Sequence, residues 1–318
     1  MKASKNTRLI VTLIVLILFI GYFAANTSKF RPLLDLNLLL LLIIAIGDMA
    51  GIFINGLFTR FILRPFKKHI SLGESFYVSL ISSVGNFFAP VGAGFGFRAV
   101  YLKKKFGLPY SEYISTLSGN YIIVFLVNSL AGLLALYLLR SRSDAQYKVL
   151  ALAFGIVFVV SLTLSLIKVP ISAANEQKVG AVRKFVRQLA RVTEGWNHIV
   201  SHRLLMLQLI GLTTTNLILT MGITLTIIHS LHFNIALAPL LLFSVLGSLS
   251  LFINVTPANL GIKEAIYLFS SHVLGFSTSQ ILSIALVDRG VMFILLALLW
   301  VASHRMSGPA KDLRTADA

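Results

Sequence analysis

Five ionisable side chains sit inside stretches otherwise fit for a bilayer. Arg98 lies in "APVGAGFGFRAVYL", Lys263 and Glu264 in "TPANLGIKEAIYL", and Asp288 and Arg289 in "SIALVDRGVMF". A charge at the bilayer centre costs about 2.5–3.5 kcal/mol on insertion scales, so such residues pair with one another or serve a ligand or ion path. A guanidinium fork matches phosphate geometry, which makes Arg98 and Arg289 candidate ligands for a lipid phosphate. Glu264 would balance the arginines or attract a cationic head group. Lys263 and Asp288 complete the charged set, although Lys263 is also placed to snorkel to the outer interface. Asn86, Asn254 and Asn259 would add neutral hydrogen bonds. The same charges have a structural reading: Glu264 neutralises Arg98 or Arg289, and Arg289-Gly290 fastens a helix crossing. Asp48, in "IAIGDMAGIFING", is a further buried acid, suited to a hydrogen bond with a neighbouring helix or to proton coupling.

The charges follow breaks. Pro90, Gly92 and Gly94 interrupt the first apolar stretch, and Pro257 and Gly261 the second. A helix restarting after each proline would expose backbone N–H donors and a positive dipole end to an anion. Other chemistries are poorly supported. The chain has no cysteine, which excludes disulfides and thiolate metal sites. His198 and His202 share an i, i+4 spacing but lack the glutamate of a zinc-protease motif and a third ligand. "GAGFGF" does not fit the dinucleotide fingerprint and follows a membrane segment. No catalytic nucleophile, metal or cofactor is expected.

These residues must be positioned by membrane helices. The chain is 57% hydrophobic and 12% charged, the composition of an all-α integral membrane protein. The apolar runs are long and continuous, not alternating as barrel strands are. Six stretches are long enough to span: 9–25, 36–57, 110–139, 149–169, 204–229 and 279–303. Two more, 75–102 and 235–274, are interrupted, which gives eight apolar segments in all. The first follows "MKASKNTR" and reads as a retained helix, longer than a signal-peptide core. The net charge of +17 reflects loops facing anionic lipid. There is no basic soluble domain to bind nucleic acid. With the N-terminus inside, 20 of the 28 basic residues fall on cytoplasmic segments and five outside. That bias sets the orientation, with both termini in the cytoplasm of a cell-membrane (inner-membrane) protein.

Lys103 to Lys105 then belong inside, so the segment before them must turn back. It reads as a re-entrant hairpin, and broken backbone at membrane depth implies a protein-lined cavity. Residues 178–203 carry Val182, Phe185, Val186, Leu189, Val192 and Trp196 on one helical stripe, with arginines largely off it. This is a cytoplasmic amphipathic helix, lying on the leaflet or docking a partner. Residues 1–305 thus form a single polytopic domain, and 306–318 a cytoplasmic tail.

The two interrupted stretches resemble each other. Pro90 and Gly94 match Pro257 and Gly261 in spacing. With one residue skipped, "RAVYL" from Arg98 lies on "EAIYL" from Glu264. Each is followed by a turn glycine, Gly107 or Gly275, and a long helix. The repeat-like units cover about 72–139 and 235–303. The charge count places the second hairpin on the outside, so the fold expected is six full spans plus two opposed re-entrant hairpins in an inverted repeat. Broken helices at matching positions of such halves are the best sequence pointer to a transporter's binding site.

The blocks "APVGAGFGFR" and "TPANLGIKEA", closed by Arg289 in the last long helix, resemble the membrane region of the lysylphosphatidylglycerol synthase/flippase family over roughly residues 5–305. The resemblance implies an all-helical membrane domain that, in bifunctional members, flips an aminoacylated lipid made by a separate soluble domain. About 15 residues follow the last apolar helix, so no synthase domain is expected here, and aminoacyl transfer does not carry over. Where the family often has an acidic–arginine pair, this chain has Asn120-Tyr121, which makes the two halves chemically unequal. The function expected is a flippase-like transporter binding a phospholipid or polyprenyl-phosphate lipid in an intramembrane cavity. The alternatives are an intramembrane enzyme acting on a lipid head group and an accessory subunit working with a lipid or glycolipid synthase.

Overall fold

The computed structural model describes residues 33, 35–89, 93–140, 145–166, 196–197, 199–250, 253 and 256–305. The expected first span (9–25), Pro90, Gly92, Asn254, most of the amphipathic stretch and the C-terminal tail lie outside them. Every regular element among the described residues is helical. In chain order they are α1 (Leu38–Leu63), α2 (Leu72–Phe88), α3 (Ala93–Phe106), α4 (Tyr110–Leu138) and α5 (Ala145–Leu166). Then come α6 (Arg203–Ser230), α7 (Leu237–Ser250), α8 (Ile262–Phe269), α9 (Ser271–Leu274) and α10 (Thr278–Arg305). A 3-10 turn extends α1 through Arg64–Phe66, and another, Pro257–Asn259, lies between α7 and α8.

Five of these helices are long and apolar enough to cross a membrane: α1 with its 3-10 extension, α4, α5, α6 and α10. Their outward faces are apolar, as lipid contact requires. On α1, Leu38, Leu42, Ile46, Met49 and Phe53 form an exposed stripe, while Ile44, Asp48 and Ile52 are buried on another face.

α2 and α3 form an antiparallel pair. Small polar residues recur on α2 at Ser75, Ser79, Ser82 and Asn86, the spacing of one helical face. Ser79, Ser82 and Asn86 meet Arg98 and Gly94 of α3, and Glu74 meets Tyr101 and Lys105. Asn86 Oδ1 accepts from the Gly94 N–H at 3.0 Å. Arg98 Nε donates to Ser82 Oγ at 3.3 Å. At the far end Glu74 accepts from Tyr101 OH at 2.6 Å and pairs with Lys105 Nζ at 3.0 Å. The rungs run in reverse order along the two helices, so the chain leaves the pair at the end where it entered. The backbones touch: a Cβ on Gly94 would overlap the Ser82 carbonyl oxygen.

α7 and α8 repeat the arrangement. Asn259 Nδ2 donates to Ser250 O at 2.8 Å and closes the turn. Farther down, a Cβ on Gly247 would overlap the Tyr267 hydroxyl. The Phe243 and Tyr267 rings stack at 3.9 Å. The turn needs left-handed backbone at Ala258 (φ 50°), Asn259 (φ 56°) and Gly261 (φ 83°), which asparagine and glycine tolerate best. Tyr101 and Tyr267, aligned by the internal repeat, are both buried on the return helix of their pair.

The pairs open toward opposite ends of the bundle. α1 and α6 are antiparallel, since Gly47 meets Ile223 and Arg64 donates to Gln208 at 3.1 Å. The α2–α3 pair starts beside the C-terminus of α1, with Gly56 packed on the Ser75 backbone. The α7–α8 pair starts at the other end, directly after the C-terminus of α6. The tips approach each other, with the Pro257–Asn259 turn packed on α2. Among the described residues the basic side chains crowd the end that holds the base of α2–α3: Arg60, Arg64, Lys67, Lys68, Lys103 to Lys105 and Arg203. Arg140 and Lys148 lie at the other.

The close rung at Gly94 makes a paired prediction. Gly94→Ala forces a Cβ into rigid backbone and should lower stability by about 3 kcal/mol. Gly96→Ala, two residues on, meets nothing within 4 Å and should be neutral or stabilising by up to about 1 kcal/mol. Thermal melts in detergent compare the two. Equal melting temperatures would show that the pair does not pack this closely.

Candidate functional site

The charged residues fall into two groups. The first is the end of the α8–α10 crossing. Arg289 NH2 lies 2.7 Å from Glu264 Oε1 and donates to Glu264 Oε2 at 2.9 Å and to Asn259 O at 3.2 Å. Glu264 Oε2 also accepts from the Gly261 N–H at 2.8 Å. One residue away on each helix, Lys263 Nζ pairs with Asp288 Oδ2 at 2.7 Å. Two neighbouring charges on α8 therefore face two of opposite sign on α10. Lys263 does not run out to an interface; it is held inward by Asp288.

These contacts bear on three readings made from the sequence. Of the two partners left open for Glu264, Arg98 and Arg289, it meets Arg289. Arg289 is committed to Glu264 and to the Asn259 carbonyl, so it does not join Arg98 in one guanidinium clamp. At the helix restarts, Glu264 takes the Gly261 N–H at the start of α8, and Asn86 takes the Gly94 N–H of α3, so these two donors are already bonded. Asn86 and Asn259 thus close the tips of their pairs. Asn259 Oδ1 is left buried and unpartnered.

The second group surrounds Arg98, which is only 7% exposed. Its partners among the described residues are two serine hydroxyls. Ser82 Oγ accepts from Nε while donating to Val78 O. Ser79 Oγ lies 3.5 Å from NH2, too long for a strong hydrogen bond. No described carboxylate pairs with this guanidinium. Its five N–H donors are mostly unspent. Tyr113 and Tyr121 of α4 lie within electrostatic range of it. The Tyr113 hydroxyl and the Asn120 Oδ1 are buried without partners. So Arg98 has unfilled hydrogen-bonding capacity within its electrostatic range on α4, at the Tyr113 hydroxyl. The aromatic rings of Phe95 and Tyr121 pack edge to face beside it, 6.4 Å between centroids.

Arg98 lies eight residues from the end of α3, about 12 Å along the axis. Asp48 and Asp288 each lie ten residues from the start of their helices, about 15 Å from the opposite end of the bundle. Both groups thus lie more than about 10 Å in from the helix ends nearest them, well inside the bundle. Asp48 is 6% exposed. Among the described residues the hydrogen bond to a neighbouring helix suggested by the sequence is not formed, and its Oδ2 has no partner. Its electrostatic neighbours are Asp288 and Lys263.

Sequence reasoning missed Glu74, Ser79, Ser82 and Tyr113. The serine spacing on α2 was a readable signal, since small polar residues at i, i+4 and i+7 mark a close helix contact in a membrane. The pairing across α8 and α10 was also foreshadowed: Lys-Glu at 263–264 and Asp-Arg at 288–289 are complementary in sign. No group of three or more metal-ligating side chains occurs among the described residues.

A family model described as the lysylphosphatidylglycerol synthase TM region matches residues 8–299. Neither a curated protein nor a solved structure matches the chain.

The Arg289–Glu264 pair carries its own test. Glu264→Gln keeps the shape but leaves a buried guanidinium uncompensated, which should cost about 3–5 kcal/mol. Glu264→Gln combined with Arg289→Met should recover part of that loss. Melting temperatures of the single and double variants decide; equal values for Glu264→Gln and wild type would contradict the pair.

Proposed function

The chain belongs to the lysylphosphatidylglycerol synthase TM-region family, and from that premise we propose that it binds an anionic membrane lipid through Arg98 and moves it between leaflets. The observation that carries this reading is the buried Arg98 guanidinium, which has neutral serine partners and no described carboxylate. Its neighbours differ sharply from those of Arg289, whose charge is met by Glu264. A cation left in this condition at bilayer depth favours an anion by the margin its desolvation costs, about 2.5–3.5 kcal/mol on insertion scales. A lipid phosphate is the anion available there, and it suits a guanidinium fork. Tyr113 OH would donate to a second phosphate oxygen. Asn120 would meet a polar head-group donor through its unpartnered Oδ1. Phospholipid and polyprenyl phosphate share this chemistry.

The two helix pairs supply the access that movement requires. With the basic end in the cytoplasm, as the positive-inside rule directs, the α2–α3 pair opens inward and the α7–α8 pair outward. A lipid phosphate would enter beside α3 and pass the meeting point of the tips. An enzyme acting on a lipid head group asks for a free base instead. Its two candidates, Glu264 and Asp288, are each held by a cation.

Purified protein in liposomes with a fluorescent anionic phospholipid, read by leaflet-specific quenching, tests the proposal. Arg98→Ala should slow lipid movement roughly 10- to 100-fold, the worth of one charge-assisted contact. Arg98→Lys, which keeps the charge but loses the fork, should fall between. Melting temperatures control for folding. Wild-type rates in folded Arg98→Ala, or no movement of any anionic lipid by the wild type, would end the proposal.

A further inference from the structure

Asp48 takes no part in the lipid contact described above, yet it is buried and its Oδ2 has no hydrogen-bond partner among the described residues. It lies on a buried face of α1 between Ile44 and Ile52. Gly47 beside it lets α6 close in until Ile223 lies where a side chain would be. Water is thus displaced by hydrocarbon on that side. The helices packed on α1 bring few charges to this level. α10 brings Asp288, and α8, packed on α10, brings Lys263. α2 brings no ionisable group there; its Glu74 is held at the far end by Tyr101 and Lys105. α6 carries Arg203 and His229 near its two ends.

The charges do not balance. Asp48, Asp288 and Glu264 stand against Lys263 and Arg289, and the last is matched by Glu264. Lys263 lies within electrostatic range of both Asp48 and Asp288, of which Asp288 holds it at 2.7 Å. The remaining negative charge falls on Asp48, whose Oδ2 is buried and unpartnered. One proton makes the group neutral. A metal ion does not fit, because a hard cation wants six or more oxygen ligands and no group of metal-ligating residues is present among those described.

We propose that Asp48, with the Lys263–Asp288 pair, is a proton-binding site at the centre of the bundle, and that its proton is the ion coupled to lipid movement. The second half of this statement rests on the transport reading above; the first does not. Uptake adds one proton from water to the Asp48 carboxylate and breaks no other bond. A neutral Asp48 leaves Lys263 wholly to Asp288. An ionised Asp48 competes for the ammonium and pulls on α8, the return helix of the outward-opening pair. That links the protonation state to the position of a helix whose tip meets α2.

Two measurements test the halves separately. In pH-difference infrared spectra of the purified protein in lipid nanodiscs, the wild type should show a buried carboxylic acid band that titrates. Asp48→Asn, nearly the same shape as the protonated acid, should lose it, and Asp48→Glu should keep it at a shifted frequency. A band that survives Asp48→Asn, one that never titrates, or none at all overturns the site. In liposomes with an imposed pH gradient, the gradient should accelerate wild-type movement of a fluorescent anionic phospholipid and leave Asp48→Asn unchanged. Wild-type movement indifferent to the gradient overturns the coupling while leaving the infrared result standing. No lipid movement at all, with or without a gradient, overturns the coupling and also fails the transport reading, and the infrared band still decides the proton site.

Discussion

Hydrocarbon offers no hydrogen bonds, so every charge and every broken turn inside this bundle has to be satisfied by the protein itself. That constraint explains most of what the two helix pairs look like. Breaking the chain near Gly94 and Gly261 frees backbone N–H groups, and the chain returns a side chain to each: Asn86 to one, Glu264 to the other. Holding Glu264 there requires a cation, which α10 supplies as Arg289. The carbonyl of Asn259 helps fix that arginine. A turn that might have been a weak point is pinned from three sides.

The same constraint separates the two halves of the repeat. Arg98 and Glu264 occupy matching positions on α3 and α8, both buried on the return helix. Glu264 is matched within the protein. Arg98 rests on serine hydroxyls, with the Tyr113 hydroxyl unspent nearby. Where the second half has Asp288-Arg289 on its long helix, the first has Asn120-Tyr121. Neither is a carboxylate, and no described carboxylate pairs with Arg98. An inverted pair with unequal chemistry suits a substrate site in one half and a structural or coupling lock in the other.

Much of this was legible from residue order. The prolines and glycines marked the two interrupted pairs, and Lys103 to Lys105 implied that the first one turns back. The repeat of "RAVYL" in "EAIYL" aligned two tyrosines, and both lie buried on return helices. What could not be read was which charges meet. Pairing depends on the rotation of α8 against α10, and sequence fixes spacing along a helix but not the rotation of one helix against another. Hence Glu264 was equally placed for Arg98 or Arg289, and the pairing of Lys263 with Asp288 was not foreseen. The serine face of α2 was readable but looked like an ordinary polar interruption until Arg98 was seen lying on it. Asp48 was visible as a buried acid, but its lack of a hydrogen bond is a fact of packing.

The central claim is contact between the Arg98 guanidinium and a lipid phosphate. Solid-state NMR of nitrogen-labelled arginine in phospholipid bilayers measures that contact directly, through dipolar coupling to phosphorus. The account predicts a guanidinium signal that is dephased by phosphorus and disappears from the Arg98→Lys difference spectrum. A spectrum whose phosphorus-coupled arginine signals are the same in wild type and Arg98→Lys would contradict it.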